Sequence, residues 1–327
     1  MTTLGEFELI ARYFTRTPRR AALGIGDDCA LLAPLAAGQQ LAVSSDMLVE
    51  GRHFLSTVAP DWLGHKALAV NLSDLAASGA EPVAFTLALA MPKVDEAFLA
   101  GFSRGLFALA DAHAIELVGG DTTAGPLAIC ITVFGSVPVG QALLRSGARV
   151  GDALWVSHPV DGGLGDARLA LEVFRGTQRV SGEAFESLRE RMEQPTPRVA
   201  LGIALRGLAT SAIDLSDGLV GDLGHVLARS GVGATLQADA LPRSAALRAM
   251  PLALQRECGL AGGDDYELLF TAPAGRDSAL LDAAARSAVA VTRIGTIDAA
   301  SGLHIVDAEG RPLQQVFAAF DHFKDPA

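Results

Sequence analysis

The chain has 327 residues, half of them hydrophobic and 19% charged, and its formal net charge is −11. That length allows one large domain or two of ordinary size, and that composition can bury a substantial core. The acidic balance and the lack of a basic cluster exclude a nucleic-acid-binding protein, and no apolar run is long enough to cross a bilayer. The N-terminus lacks the layout of a signal peptide, and three scattered cysteines form neither a disulfide framework nor a zinc site. We therefore expect a cytoplasmic protein that binds no membrane.

The first half of the chain alternates segments with strand and helix patterns. Apolar residues recur at helical spacing after residue 95, and a strand pattern ends in the polar residues 44–46. We predict a hairpin at the end of this half, formed by the last two strands around residues 122–126. The predicted elements are strands at 41–47 and 83–91, helices at 60–79 and 95–113, and strands at 115–121 and 127–137.

The second half begins after a turn-rich polar stretch at residues 144–152, where the pattern starts afresh. The predicted elements are a strand at 153–157, helices at 165–175, 183–193 and 198–208, a strand-to-helix run at 212–230, strands at 233–239 and 266–273, a helix at 278–287, and strands at 289–294 and 303–306. This organisation predicts an α/β (α+β) protein of two domains, residues 1–148 and residues 149–327.

Short segments that combine aspartate with glycine, serine or threonine recur along the chain. They are GIGDDCA (24–30), SSDMLVEG (44–51), NLSDLAASGA (71–80), GGDTT (119–123), DLSDGL (214–219) and GGDDYELLF (262–270). Carboxylate and hydroxyl oxygens are good ligands for hard divalent cations. Two carboxylates about 4 Å apart repel by about 4 kcal/mol at an effective dielectric near 20, so a buried acidic cluster needs a cation. The set predicts a nucleotide site with several metal ions.

Each motif also has a structural alternative. Asp27 and Asp28 suit a solvated glycine turn, residues 44–46 suit a turn that ends a strand, and GGDTT suits a hairpin turn. In DLSDGL, Ser216 or Asp217 is suited to cap the following helix, but capping leaves the other acids unexplained.

Other residues point to phosphate binding without the usual lysine motif. Arg145 and Arg149 are the best contacts for phosphate besides metal, although a solvated linker remains an alternative for Arg149. The chain has no GxxxxGK[ST] loop, no protein-kinase motif set and no GxSxG elbow. A phosphoryl-transfer enzyme with this sequence must therefore depend on metals held by carboxylates.

Taken in order, GIGDDCALL, NLSDLAASGAEP, GGDTT, IDLSDGL and DYELLF closely resemble the motifs of the thiamine-monophosphate kinase family, within the aminoimidazole ribonucleotide synthetase-like superfamily. Each motif is modest by itself and the set is very specific. The resemblance runs from residue 5 to residue 323, essentially the whole chain. It implies a homodimer in which the N-terminal mixed sheet pairs across the dimer, with ATP bound between that domain and the C-terminal α/β domain.

The resemblance also implies roles for particular residues. Positions that bind magnesium in the family, as several ions, are Asp28, Ser44, Ser45, Asp46, Asp74, Asp121, Asp214 and Asp217. Positions that contact ATP are Gly120, Asp121, Arg145 and Ser216. Positions that contact thiamine phosphate are His53, Asp264 and Phe320. Two of these depart from the family pattern, since Asp264 replaces a glutamate and Phe320 stands where a tyrosine or similar residue is usual.

The activity implied is the transfer of phosphate from ATP to thiamine monophosphate, with magnesium and without an assigned protein base. Other enzymes of the superfamily are one alternative. Two of them use an N-terminal or a C-terminal cysteine, whereas Cys29 lies inside the metal motif and the chain ends DHFKDPA. A non-catalytic nucleotide-binding protein that has kept the fold is the other alternative.

Overall fold

The computed structural model describes residues 4–318 and 320. These residues divide into two compact units, one of residues 4–75 and 80–140, the other of residues 76–79, 141–318 and 320. Both units combine sheet and helix, so the predicted α/β class is confirmed. Within the described part of the chain, no helix is both long and apolar enough to span a membrane.

The first unit is built on a four-stranded mixed sheet. Its elements are α1 (Glu6–Tyr13), β1 (Ala21–Leu23), β2 (Leu31–Leu32), β3 (Gln39–Val49), α2 (Pro60–Ala77), β4 (Glu81–Met91), α3 (Glu96–Ala112), β5 (Glu116–Ala124) and β6 (Ala128–Pro138). The strand order is β3-β6-β4-β5, and β1 and β2 form a separate small sheet. Strands β4 and β5 are parallel, while β6 runs antiparallel to both β3 and β4.

Helix α3 follows from local sequence signals, of which the prediction used the apolar spacing. The Asp95 side chain accepts hydrogen bonds from the N–H groups of Ala97 and Phe98, which caps the helix N-terminus. The apolar stripe at helical spacing is buried, including Phe102 and Leu106 at 0% exposure. The predicted helices at 60–79 and 95–113 are therefore confirmed to within two residues.

The predicted hairpin between the strands at 115–121 and 127–137 is wrong. Strand β5 pairs with β4 in parallel, and β6 inserts between β3 and β4. The physical reason is the α3 crossover, which returns the chain to the same end of the sheet and makes β5 parallel to β4. The residues of GGDTT therefore belong to an edge strand. Residues 44–46 likewise lie within β3, which continues to Val49.

The second unit contains a six-stranded sheet flanked by helices. Its elements are β7 (Ala153–His158), α4 (Asp166–Phe174), α5 (Gly182–Glu193), α6 (Val199–Ala204), β8 (Ser211–Asp214), α7 (Leu219–Ser230), β9 (Gly233–Gln237), α8 (Ala245–Arg248), α9 (Leu252–Ala261), β10 (Leu268–Ala272), α10 (Asp277–Arg286), β11 (Ala290–Asp298) and β12 (Gly302–Val306). The strand order is β12-β9-β11-β7-β10-β8. Leu154, Val156, Leu223 and Ile294 belong to the core that packs on one face of this sheet.

The predicted cap of helix α7 is wrong in detail. The residue before the helix is Gly218, at φ +112°, and it makes no side-chain capping bond. A side chain at Gly218 would adopt this positive φ only with strain. Ser216 and Asp217 therefore lie two residues and one residue before the capping position, in the loop that joins β8 to α7.

Backbone contact between α2 and α3 generates a stability prediction. A Cβ atom added at Gly105 would lie 1.8 Å from the carbonyl oxygen of Asp61, so Gly105→Ala should destabilise the protein by about 1–3 kcal/mol through overpacking. Gly224, within α7, has no heavy atom within 4 Å of such a Cβ. Gly224→Ala should therefore stabilise by about 0.5–1 kcal/mol. Urea unfolding of both variants measures the difference, and equal free energies of unfolding would contradict the close α2–α3 packing.

Candidate active site

In the first unit, strand β3 and helix α2 bring three of the predicted metal ligands together. Ser44 and Asp46 are two residues apart in β3, so their side chains leave the same face of the sheet. The Ser44 hydroxyl donates a short hydrogen bond to Oδ2 of Asp74, which lies on α2. The Asp46 N–H donates to Oδ1 of Asn71 at 3.1 Å. A hydroxyl and two carboxylates thus lie on the helix-facing side of the sheet.

Ser45 and Asp121 lie on the opposite face of the same sheet. The Ser45 hydroxyl is 2.9 Å from the Thr132 hydroxyl of β6, and Asp121 pairs with Ala88 in β4. Strands β3 and β5 are the two edges of the sheet. Three strand spacings of about 4.8 Å therefore place Asp121 about 14 Å from strand β3, which carries Asp46. Within one copy of the chain, Asp121 therefore lies apart from the group formed by Ser44, Asp46 and Asp74.

The other predicted site residues of this unit have distinct environments. Asp28 is exposed in the loop between β1 and β2. Gly120 has φ +148°, and a Cβ there would lie 1.8 Å from the carbonyl oxygen of Leu87, so packing against β4 alone requires glycine. Nδ1 of His53 accepts a hydrogen bond from the Val49 N–H at 3.0 Å. In that neutral tautomer His53 carries its proton on Nε2.

In the second unit, the loop between β8 and α7 collects predicted residues from distant parts of the sequence. Asp214 is buried at the end of β8. The Asp264 N–H donates to the carbonyl of Ser216 at 2.9 Å, and the Phe320 N–H donates to the carbonyl of Asp217 at 3.1 Å. Predicted metal, ATP and substrate positions therefore share one loop cluster. In the segment AAFDHF (318–323), residues 319 and 321–323 lie outside the described residues.

Asp217 is also close to an acid that the site prediction did not include. The Asp217 N–H donates to Oδ2 of Asp222 at 3.2 Å. Burial, and then the neighbouring charge of Asp217, raise the pKa of Asp222 to about 7. The sequence signal was present, since Asp222 belongs to the same run as Asp217, but burial could not be deduced from it.

The exposed Arg145 belongs to a segment fixed by hydrogen bonds to its own unit. The Leu144 carbonyl accepts from the Ala212 N–H of β8 at 2.9 Å. The Ser230 hydroxyl, at the end of α7, accepts from the N–H groups of Gly147 and Ala148 at 3.1 and 3.2 Å. These bonds fix the backbone around Arg145 and leave its guanidinium group on the surface.

The donor chemistry of both groups fits magnesium. Ser44, Asp46 and Asp74 offer hard oxygen atoms, and Asp217 lies beside Asp222, whose pKa is raised by burial and by the Asp217 charge. Among residues 4–318 and 320, no three His, Cys, Asp or Glu side chains are arranged to hold a metal ion. Magnesium commonly takes one or two carboxylates together with substrate phosphates, so smaller acidic groups of this kind suit it.

A further set of carboxylates lies near Asp264 in the second unit. Sequence reasoning did not identify this set. Both carboxylate oxygens of Asp265 accept from the Gly165 N–H, at 2.9 and 3.1 Å, and burial raises the pKa of Asp265 well above its usual range. Glu267 is buried and forms a two-pronged ion pair with Arg198. Burial also raises the pKa of Asp166 to about 6, although the Ser244 hydroxyl donates to it at 2.6 Å.

Comparison with known proteins identifies the class of protein to which this chain belongs. The family described as AIR synthase related protein, N-terminal domain, matches residues 26–137, and AIR synthase related protein, C-terminal domain, matches residues 149–308. The chain therefore belongs to the AIR synthase-related proteins.

Closer relatives narrow the family. Thiamine-monophosphate kinase of Salmonella typhimurium is 47% identical, covering 98% of this chain and 99% of that protein. The crystal structure of thiamine-monophosphate kinase from Stenotrophomonas maltophilia is 46% identical, with a TM-score of 0.83 over 94% of this chain and 96% of that one. A solved complex of AaThiL with AMPPCP and TMP is 28% identical, with a TM-score of 0.76 over 89% and 90%. Within its class, the chain belongs to the thiamine-monophosphate kinase family and is an enzyme.

The raised pKa of Asp166 generates a pH prediction. Because the folded-state pKa of about 6 lies above the usual 3.8, the proton is held more tightly in the folded state, and stability is lost as pH rises through that range. Asp166→Asn keeps an acceptor for Ser244 and removes this loss. From pH 4 to pH 7.5, the free energy of unfolding of the variant relative to wild type should rise by up to about 3 kcal/mol. Parallel pH profiles in urea unfolding would contradict the prediction.

Proposed function

We propose that this chain catalyses the transfer of the γ-phosphate of ATP to thiamine monophosphate, which gives thiamine diphosphate and ADP. The observation that carries this proposal is full-length identity of 45–47% to relatives that are thiamine-monophosphate kinases. The AaThiL complex, which contains AMPPCP and TMP, has the same fold. ATP and thiamine monophosphate are accordingly the two substrates.

The chemistry requires positioning more than proton transfer. A phosphate monoester has a second pKa near 6, so the attacking oxygen of thiamine monophosphate is already largely ionised at neutral pH. No protein base is needed for direct in-line attack. The obstacle is the repulsion between the phosphate groups of the two substrates in a protein of net charge −11. Bound Mg²⁺ would neutralise phosphate charge, and the protein groups orient attacker and leaving group.

The site residues enter this proposal in three roles. Ser44, Asp46 and Asp74 are supported as magnesium ligands by their common position on the helix-facing side of the sheet, and Asp214 and Asp217 by their shared loop. The remaining proposed magnesium positions are Asp28, Ser45 and Asp121. The proposed ATP contacts are Gly120, Asp121, Arg145 and Ser216, and the proposed thiamine phosphate contacts are His53, Asp264 and Phe320.

A homodimer is part of the proposal, with residues 1–148 as the domain that binds ATP and metal and forms the interface. Strand β3 exposes Leu41, Val43 and Met47 at 49, 56 and 57% on the sheet face opposite α2. An apolar stripe on an edge strand favours association. The same face carries Ser45 and Asp121, so a second copy over it would place both in the interface. A cytoplasmic location, where ATP and Mg²⁺ are abundant, also belongs to this proposal.

The purified protein tests the activity directly. ADP should be released only when thiamine monophosphate and Mg²⁺ are both present, and aminoimidazole-ribonucleotide precursors should not replace thiamine monophosphate. Asp214→Asn should lower turnover by about 10- to 100-fold, because losses in a metal's ligand environment have this size, and should raise the Mg²⁺ requirement with little change in Tm.

Asp282→Asn, an exposed change in α10, is the matched control and should behave as wild type. ADP release that ignores thiamine monophosphate would overturn the proposed function. An Asp214→Asn variant with wild-type turnover and wild-type magnesium dependence would overturn only the role of Asp214.

The dimer is tested by placing a charge on the exposed stripe. Val43→Asp should convert a particle of twice the 33.8 kDa chain mass into a monomer, because a buried unpaired carboxylate opposes association. Leu281→Asp changes a residue of similar exposure, 50%, in the second unit and should leave the dimer intact. Light scattering coupled to size-exclusion chromatography measures both, and a monomeric wild type would refute the homodimer.

A further inference from the structure

The loop between α9 and β10 carries unusual backbone strain. Asp264 has φ +65° and Tyr266 has φ +49°, so two residues other than glycine adopt the left-handed conformation within three positions. Such conformations persist only where the surroundings hold them, and they cluster at ligand-binding sites. The loop is therefore a place to look for a constraint on a substrate-contacting side chain.

Hydrogen bonds to the β8–α7 loop hold this backbone in place. The Asp264 N–H donates to the Ser216 carbonyl at 2.9 Å, and the Tyr266 N–H donates to the Leu215 carbonyl at 2.8 Å. Gly263 passes so close that a Cβ there would lie 2.5 Å from the Ser216 carbonyl oxygen. The two loops are thus joined by their backbones, and the position of Asp264 is fixed relative to Ser216.

Side chains on either side anchor the same loop to the rest of the unit. Asp265 accepts from the Gly165 N–H at the start of α4. Glu267 accepts from Arg198 at 2.7 Å and from the Ser157 hydroxyl at 2.5 Å. These two acids therefore act as structural anchors. The Asp264 carboxylate, by contrast, is bonded to a tyrosine hydroxyl.

The side chain of Tyr266 holds the Asp264 carboxylate. The Tyr266 hydroxyl donates to Oδ1 of Asp264 at 3.1 Å, and the Tyr266 side chain is buried, with 8% exposure. A buried, rigid ring with two torsion angles restricts the carboxylate much more than water would. The phenol therefore sets the direction in which the remaining acceptor positions of Asp264 point.

We propose that Tyr266 is a positioning residue that aims the Asp264 carboxylate at the amino group of the aminopyrimidine ring of thiamine monophosphate. This inference rests on the proposed function. Asp264 is not one of the proposed magnesium ligands, so charge excludes the phosphate end of the substrate, which a carboxylate without a cation repels. The thiazolium cation attracts a carboxylate from any direction, so a fixed orientation brings little advantage there. The amino N–H is the directional donor of the substrate, and a preorganised acceptor recognises it.

The chain provides a matched control, because its two tyrosines are Tyr13 and Tyr266. Tyr266→Phe should raise KM for thiamine monophosphate by about tenfold, the size of one hydrogen bond to a charged group, while kcat, KM for ATP and Tm stay near wild type. Wild type should prefer thiamine monophosphate over oxythiamine monophosphate, in which a carbonyl replaces the amino group, and Tyr266→Phe should reduce that preference. Tyr13→Phe should change none of these values.

A double-mutant cycle separates positioning from general damage. If Tyr266 acts through Asp264, Tyr266→Phe combined with Asp264→Ala should be no worse than Asp264→Ala alone. The inference is overturned if the effects of Tyr266→Phe and Asp264→Ala on KM multiply in the double variant. It is also overturned if Tyr266→Phe raises KM for ATP as much as KM for thiamine monophosphate, or if Tyr266→Phe behaves like Tyr13→Phe. If the wild-type protein turns over thiamine monophosphate in the same assay, the proposed function stands and only the role of Tyr266 has failed.

Discussion

Repulsion between negative charges is the constraint on which the rest of this protein depends. The chain carries −11 overall, and burial beside Asp217 raises the pKa of Asp222 to about 7. Both substrates of a thiamine-monophosphate kinase carry anionic phosphate groups. Two unit charges about 4 Å apart cost about 4 kcal/mol at an effective dielectric near 20. In the proposed function, small groups of hard oxygen donors, such as Ser44 with Asp74, would hold cations that relieve this repulsion when phosphates bind.

Backbone contacts do much of the positioning around these charges. In the second unit, carbonyls of the β8–α7 loop accept from the N–H groups of Asp264, Tyr266 and Phe320, so two other parts of the chain are held by one loop. In the first unit, Gly120 allows β5 to approach β4 more closely than any side chain permits. Side-chain roles in this enzyme therefore depend on main-chain geometry that carries no charge of its own.

The parts of the fold that were predicted correctly have strong local signals. Helix α3 was predicted because its apolar residues recur at helical spacing within one short segment. The pairing of β5 was predicted wrongly, because a glycine-rich stretch before β6 has the same composition whether or not the flanking strands pair. Only the packing of the α3 crossover distinguishes a hairpin from a parallel edge strand.

The candidate site divides in the same way. By itself, the sequence determined the fold class, the helices with clear periodicity, the acidic character of the site and the resemblance that names its substrates, because spacing and composition are local properties. The tertiary structure decided that Ser44 faces Asp74 while Ser45 and Asp121 lie on the other side of the sheet, and that Tyr266 bonds to Asp264. These facts depend on strand order, strand face and burial, which arise from hydrogen bonds and packing between residues far apart in the chain.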